Sequence, residues 1–180
     1  MKTLIVTLCA LMLAVPALAK DKASGYDLTL QNVPAQVYFS PNGGGQEAIV
    51  RTLGEAKKSV YVQAYSFTSE PIAKALLEAH KRGVHVEAIL DKSQKGERYT
   101  SATFLQNSGI PVFIDDAHAI AHNKVMIIDE ETLVTGSFNF TKAAQEKNAE
   151  NLLILRSKDL ARIYLENWKA HLTHSEPYQR

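Results

Sequence analysis

Cysteine is almost absent from this chain of 180 residues: Cys9 is the only one. It sits in a segment expected to be removed, and the Val6-Thr7-Leu8 approach lacks the small residue that a lipid-modified leader places just before its cysteine. Disulfides and thiol chemistry are therefore excluded from what remains. An excess of one charge is missing too, with 20 Lys and Arg against 19 Asp and Glu. Proteins that attract nucleic acid or anionic membranes through their overall field are strongly basic; here any affinity for phosphate has to come from a local cluster. The apolar run over residues 4–15 is shorter than the roughly 20 residues a helix needs to cross a bilayer. There is no internal repeat, low-complexity tract or linker within residues 36–175.

What is present begins with Lys2, the short apolar run, Pro16 and the small-residue sequence Ala17-Leu18-Ala19 ahead of Lys20. A basic start, a short apolar centre and an A-x-A pattern describe a secretory signal peptide over residues 1–19. Cleavage after Ala19 exports the protein to the periplasm or beyond and leaves no stable membrane association. Removal takes Lys2 and no acid, so the remaining 161 residues carry 19 basic and 19 acidic side chains. That length buries one core and argues against two.

Residues 20–35 are polar, with Gly25 and Pro34, and read as an extended arm or first edge strand; residues 36–180 form the catalytic domain. Period-two and helical spacing then alternate. Strands are predicted at 36–39, 59–67, 84–90, 110–114, 125–128, 132–135 and 152–155. Helices are predicted at 46–57, 71–82, 96–107 and 159–172. The pattern implies an α/β fold with a mixed, largely parallel sheet flanked by helices on both faces. Tyr38, Tyr61, Tyr65 and Trp168 read as core.

The stretch that carries chemistry runs from His122 to Asn139, HNKVMIIDEETLVTGSFN. His122 and Lys124 are two residues apart at the start of an apolar strand, so their side chains leave one face. Ser137 and Asn139 do the same at the end of the return strand. A hairpin of this shape brings an imidazole, an ammonium, a hydroxyl and a carboxamide to one end of a sheet. An imidazole attacks phosphorus or relays a proton near neutral pH, and Lys and Asn donors stabilise charge on the non-bridging oxygens. Gly136 allows the backbone to approach an anion closely. Asp129, at the mouth of an acidic turn, reads as structural.

The stretch resembles the HxKxxxxD motif of the phospholipase D superfamily with its trailing GSxN, matched by His122, Lys124, Asp129, Gly136, Ser137 and Asn139. With each residue type near one in twenty, such a match arises by chance on the order of once in 10⁸ starting points. The likeness extends to Glu150 in NAENLLI and to the YSFT and ILD segments, and so covers most of the mature chain. It implies a two-step reaction without metal or cofactor: one histidine attacks phosphorus, a second protonates the leaving oxygen, and water releases the phosphohistidine. None of His80, His85, His118, His171 or His174 has a lysine two residues on, so the chain holds one motif where the scheme needs two. It resembles in this the small bacterial nucleases in which two chains join their motifs across a two-fold axis.

The site residues read from the sequence are His122, Lys124, Ser137, Asn139 and Glu150, the last orienting the imidazole as carboxylates do in other histidine sites. Lys92, Lys95 and Arg98 are candidates for phosphate-backbone contacts. Asp115, Asp116, His118 and His122 form an alternative, metal-binding reading, which leaves Lys124 and the GSxN unexplained. The expected activity is a metal-independent endonuclease of low sequence specificity, acting as a homodimer on DNA, with RNA as a further candidate substrate. A lipid phosphodiesterase on the same machinery, and a nucleic-acid-binding protein that has lost catalysis, are the competing readings.

Overall fold

In the strand Lys124–Ile128 every residue is buried, because alternate side chains enter two different cores. Met126 and Ile128 join a cluster with Val60, Val62, Leu76 and Leu90, whereas Val125 and Ile127 join one with Ile89, Leu165 and Trp168. The fold is described from a computed structural model for residues 25–97 and 100–179. The signal-peptide segment and Arg98 lie outside those residues. Residues 25–31 belong to a unit of their own without helix or strand, and the second unit begins at Asn32.

The elements of this second unit, in chain order, are β1 (Ala35–Ser40), α1 (Gly45–Glu55), β2 (Ser59–Ala64), α2 (Glu70–Lys81), β3 (His85–Asp91), α3 (Ala102–Asn107), β4 (Val112–Asp115), β5 (Lys124–Ile128), β6 (Thr132–Gly136), α4 (Lys142–Glu146), β7 (Glu150–Arg156), α5 (Lys158–Leu172) and β8 (Glu176–Pro177), with a 3-10 turn at Lys92–Lys95. The eight strands form one sheet in the order β1-β7-β6-β5-β2-β3-β4-β8. Helices α1 to α4 supply Ile49, Leu53, Ile72, Leu76, Leu105 and Ala144 to the larger core on one face. Among the described residues, helix α5 covers the other, through Ala161, Leu165 and Trp168.

The sheet is mixed, as the alternation implied, but its weight is antiparallel where a largely parallel sheet was expected. Among the described residues, β2 with β3 and β3 with β4 run parallel and the other strand pairings are antiparallel. The cause is local. Crossover helices separate the first strands, as parallel pairs require, whereas β5, β6 and β7 meander back and forth without a long crossover.

Local chemistry explains most boundaries. Pro71 opens α2, and Gly83, in the left-handed region at φ 88°, follows its end. Ser157 caps α5 by accepting from the Leu160 N–H at 3.3 Å. The helix predicted at 96–107 is shorter, beginning at Ala102. Asp91 accepts from the Ser93 N–H and starts a 3-10 turn instead, and Gln94 is buried with its carboxamide oxygen accepting from the Phe67 N–H. Helix α4 and strand β8 were not predicted: five and two residues are too short to show a period.

Candidate active site

His122 and Lys124 stand where period two placed them, just before and at the start of β5. Lys124 is 7% exposed, while His122 is open to solvent. The backbone on both sides of His122 is fastened. Ala121 donates its N–H to Asp91 Oδ2 at 2.7 Å, and Asn123 accepts at its carbonyl from the Tyr65 N–H at 2.8 Å. Lys124 Nζ donates to the His122 carbonyl at 2.9 Å. The imidazole thus projects from a fixed stub. Tyr65, expected as core, is half-buried beside it instead: its ring lies 4.6 Å from the His122 ring, tilted by 55°. Lys124 Nζ stands 5.0 Å from the centre of the same ring, within range of a cation–π attraction.

Burial pushes the Lys124 ammonium below the ordinary lysine range, and the carboxylates of Glu150 and Asp91 act in the opposite direction. Asp91 is itself buried at the end of β3. Tyr65 and Asp91 lie in the YSFT and ILD segments, where nothing in the spacing marks them as neighbours of His122.

The alternation Ser137-Phe138-Asn139-Phe140 sends both rings into the core, 2% and 0% exposed, and turns the polar pair away from it. Gly136 has φ 143°, and a Cβ there would lie 2.3 Å from the Asn151 carbonyl oxygen. The close approach that glycine permits is therefore to β7 rather than, as expected, to an anion. Asn151 O accepts from the N–H groups of Ser137 and Phe138 at 3.1 and 3.2 Å. Ser137 Oγ donates to Glu150 Oε2 at 2.6 Å, and Asn148 Nδ2 donates to Glu150 Oε1 at 3.1 Å. The hydrogen bond expected from His122 to Glu150 is not among the carboxylate's contacts within the described residues. Asn139 Oδ1 is buried without a hydrogen-bond partner among them, an unsatisfied acceptor at the mouth of a polar site.

Of the remaining candidates, Lys92 donates from Nζ to the His118 carbonyl at 2.8 Å, and Lys95 is exposed. Asp129 lies at the far end of β5, about 16 Å from Lys124 at the usual rise per strand residue. Its carboxylate accepts from the N–H groups of Lys57, Lys58 and Ser59 at 2.7–3.1 Å, which ties the start of β2 to the turn; this is the structural part the sequence suggested. The alternative metal cluster does not assemble with its expected members. Asp115 and His118 come together, but with His171 and His174 rather than with Asp116 and His122. Burial alone would raise the Asp115 carboxyl, yet hydrogen bonds from His171 and His118 hold it at about 2.

The arrangement at the start of β5, the end of β6 and the start of β7 offers a solvent-facing imidazole, a shielded ammonium and a hydroxyl held by a carboxylate, with a carboxamide on the loop that follows β6. Such a set suits displacement at an anionic phosphorus centre. Comparison with known proteins agrees with the geometry. A family model described as "Cardiolipin synthase, PLD-like domain" matches residues 49–172, which include all five of these positions. A protein named phospholipase D from Rickettsia typhi is 42% identical over 142 residues, 79% of this chain and 69% of that protein. The human protein named mitochondrial cardiolipin hydrolase is 31% identical over 121 residues, 67% of this chain and 48% of that one. The crystal structure of Nuc, a phospholipase D family member from Salmonella typhimurium, superposes with a TM-score of 0.78 at 39% identity, covering 82% of this chain and 99% of that chain. This chain thus spans about two thirds of the Rickettsia relative and about half of the human one.

Proposed function

Since this chain belongs to the phospholipase D superfamily and is a phosphodiesterase of that family, we propose that it is a metal-independent endonuclease that cleaves DNA at low sequence specificity, with RNA as a further candidate substrate. The observation that supports this reading is the gathering of His122, Lys124, Ser137, Asn139 and Glu150 around one end of the sheet. The match to Nuc along nearly that protein's whole length favours nucleic acid as substrate.

In the proposed reaction, a His122 imidazole nitrogen forms a bond to phosphorus as the bond to the leaving oxygen breaks. The imidazolium of a second His122, from another copy of the chain, gives that oxygen its proton. Water then attacks the phosphohistidine, passing a proton back to the second imidazole, and the nitrogen–phosphorus bond breaks to leave a phosphate monoester. Lys124 and Asn139 hold the non-bridging oxygens, and Glu150 keeps Ser137 in place to do the same. Because the chain carries one such histidine, the site is completed in a homodimer, and the exposure of His122 leaves it accessible to a partner.

A lipid substrate is the second reading. The names of the Rickettsia and human relatives favour it, as does Ile120, 57% exposed two residues before His122. Plasmid DNA, single-stranded RNA and vesicles of phosphatidylcholine and cardiolipin, each incubated with the protein in excess EDTA well below its unfolding temperature, separate the readings. Nicked and fragmented nucleic acid with intact lipid is expected. Lipid hydrolysis without DNA cleavage would transfer the function to the second reading. Retardation of DNA without cleavage from about pH 5 to about pH 9 would make this a binding protein, and loss of cleavage restored by zinc or magnesium would end the phosphohistidine scheme.

A further inference from the structure

Away from the candidate active site, three imidazoles and a carboxylate converge at the end of β4. Asp115 follows Phe113 in strand parity and so faces α5; its side chain is fully buried. His118 Nδ1 lies 3.0 and 3.2 Å from the two oxygens of Asp115. His171 Nδ1 lies 2.7 Å and His174 Nε2 3.4 Å from Oδ2. The rings are 4.8, 5.1 and 5.3 Å apart between centres, and one potential ligand atom from each residue lies within 4.8 Å of all the others. A carboxylate has about four acceptor positions, and the Ala117 N–H takes one on Oδ1 at 3.2 Å. The carboxylate also meets three rings, delivered by two segments more than 50 residues apart in sequence.

We propose that Asp115, His118, His171 and His174 bind a divalent transition metal, zinc by its chemistry, which fastens the end of α5 and the tail behind it to the sheet. Four donors about 2.0–2.2 Å from an ion form the closed tetrahedron of a structural zinc site, with donors about 3.3 Å apart. The widest gap has to close by roughly 1.5 Å, and the movable members are suited to this: His118 is on an exposed loop and His174 is in the tail after α5. Three imidazoles and one carboxylate suit zinc, cobalt or nickel, and are too poor in oxygen for calcium or magnesium. The backbone is held at two of the ligands. The His118 carbonyl accepts from Lys92, and the His171 carbonyl accepts from Ser175 Oγ at 2.8 Å.

With all four positions supplied by protein, the ion has no open place for substrate water. It also lies three strands from β5, about 14 Å at normal strand spacing. Its part is positional. The backbone at His122 is already held by Asp91 and Tyr65, so occupancy acts on the seating of α5 and the tail and not on the nucleophile. This site is separate from the metal-free reaction proposed above, and neither depends on the other.

The test uses untagged protein stripped with chelator and dialysed, titrated with zinc alone and then with cobalt. One equivalent of zinc per chain is expected, with the intense visible absorption of tetrahedral cobalt on substitution. The unfolding midpoint is expected to rise by about 5–10 °C at a hundredfold excess over the dissociation constant. The paired replacement His118→Ala and His174→Ala, at the two exposed positions, leaves the fold in place and weakens binding by about a hundredfold or more. The absence of saturable zinc binding below about 10 μM overturns the proposal, as does undiminished binding by the double variant. Neither readout uses cleavage, so a failure here is distinct from a failure of the nuclease reading.

Discussion

Lys124 is nearly out of water and yet stands between two carboxylates, and the two influences act on its proton in opposite directions. Burial, the larger, lowers its pKa; Glu150 and Asp91 raise it. A lysine whose folded pKa lies below its unfolded value binds fewer protons when folded, so stability rises with pH between the two values. Holding the ammonium costs stability at neutral pH, and deprotonation relieves that cost. Activity follows the opposite course, because the ammonium holds the phosphate. Cleavage should fall on the alkaline side below the ordinary lysine value of about 10.4, without a parallel loss of stability from this group. Glu150→Gln should move that limb to still lower pH. Profiles of kcat/KM against pH decide the matter: a limb at the ordinary lysine position, unmoved by Glu150→Gln, would remove Lys124 from the role given to it. Asp129 provides the contrast. Asp129→Asn should lower the unfolding free energy by about 1–3 kcal/mol through its weakened backbone hydrogen bonds, with near-normal turnover per folded molecule. His122→Ala should keep its urea midpoint and lose cleavage. Swapped phenotypes for these two variants would contradict the assignment. At this scale the sequence was legible where spacing alone fixes a side chain, as for His122, Lys124, Ser137 and Asn139. It was silent on Tyr65 and Asp91, whose roles depend on which strands are neighbours.

Among the elements, the β5–β6 hairpin and the strand it leans on carry the site, and their closest contact is at Gly136. Gly136→Ala would drive a Cβ into the Asn151 carbonyl at a backbone angle that side chains rarely adopt, and should cost about 2–4 kcal/mol in urea unfolding. Gly54, in the last turn of α1 with open space around it, makes the control: Gly54→Ala should be neutral or stabilising by up to about 1 kcal/mol. Equal effects at the two positions would mean that the contact with β7 is not what Gly136 secures. Elements with a long period or a run buried on both faces, such as α2, α5 and β5, were readable in advance because burial writes itself into the pattern. The parallel bias expected of the sheet was not met, since strand alternation in sequence does not say whether a connection crosses over or folds back. The short 3-10 turn after Asp91 was likewise hidden, because side-chain caps determine it.

For the whole molecule, the central question is whether two chains share one centre. If each site draws one His122 from each chain, a dimer with one His122→Asn subunit lacks either nucleophile or acid and is inactive. Random reassembly of equal amounts of wild-type and variant chains gives about a quarter wild-type dimers, so activity should fall to about a quarter, against about a half for self-sufficient subunits. Co-refolding tagged with untagged chains and isolating the heterodimer supplies the proof of exchange; a heterodimer at half the wild-type rate would refute the shared site. The gathering of Asp115 with His171 and His174 belongs to this scale too, since the fold alone joins residues so distant in sequence. The chain has a lone tryptophan, and its placement gives the molecule a built-in optical reporter. Trp168 is 1% exposed, donates from its indole N–H to the Val62 carbonyl at 2.8 Å and lies 4.9 Å from the Tyr61 ring. All indole fluorescence therefore originates on the α5 face, one turn before His171. Its emission colour reports the seating of that helix on the sheet, and it would stay unchanged by a disturbance confined to the opposite layer.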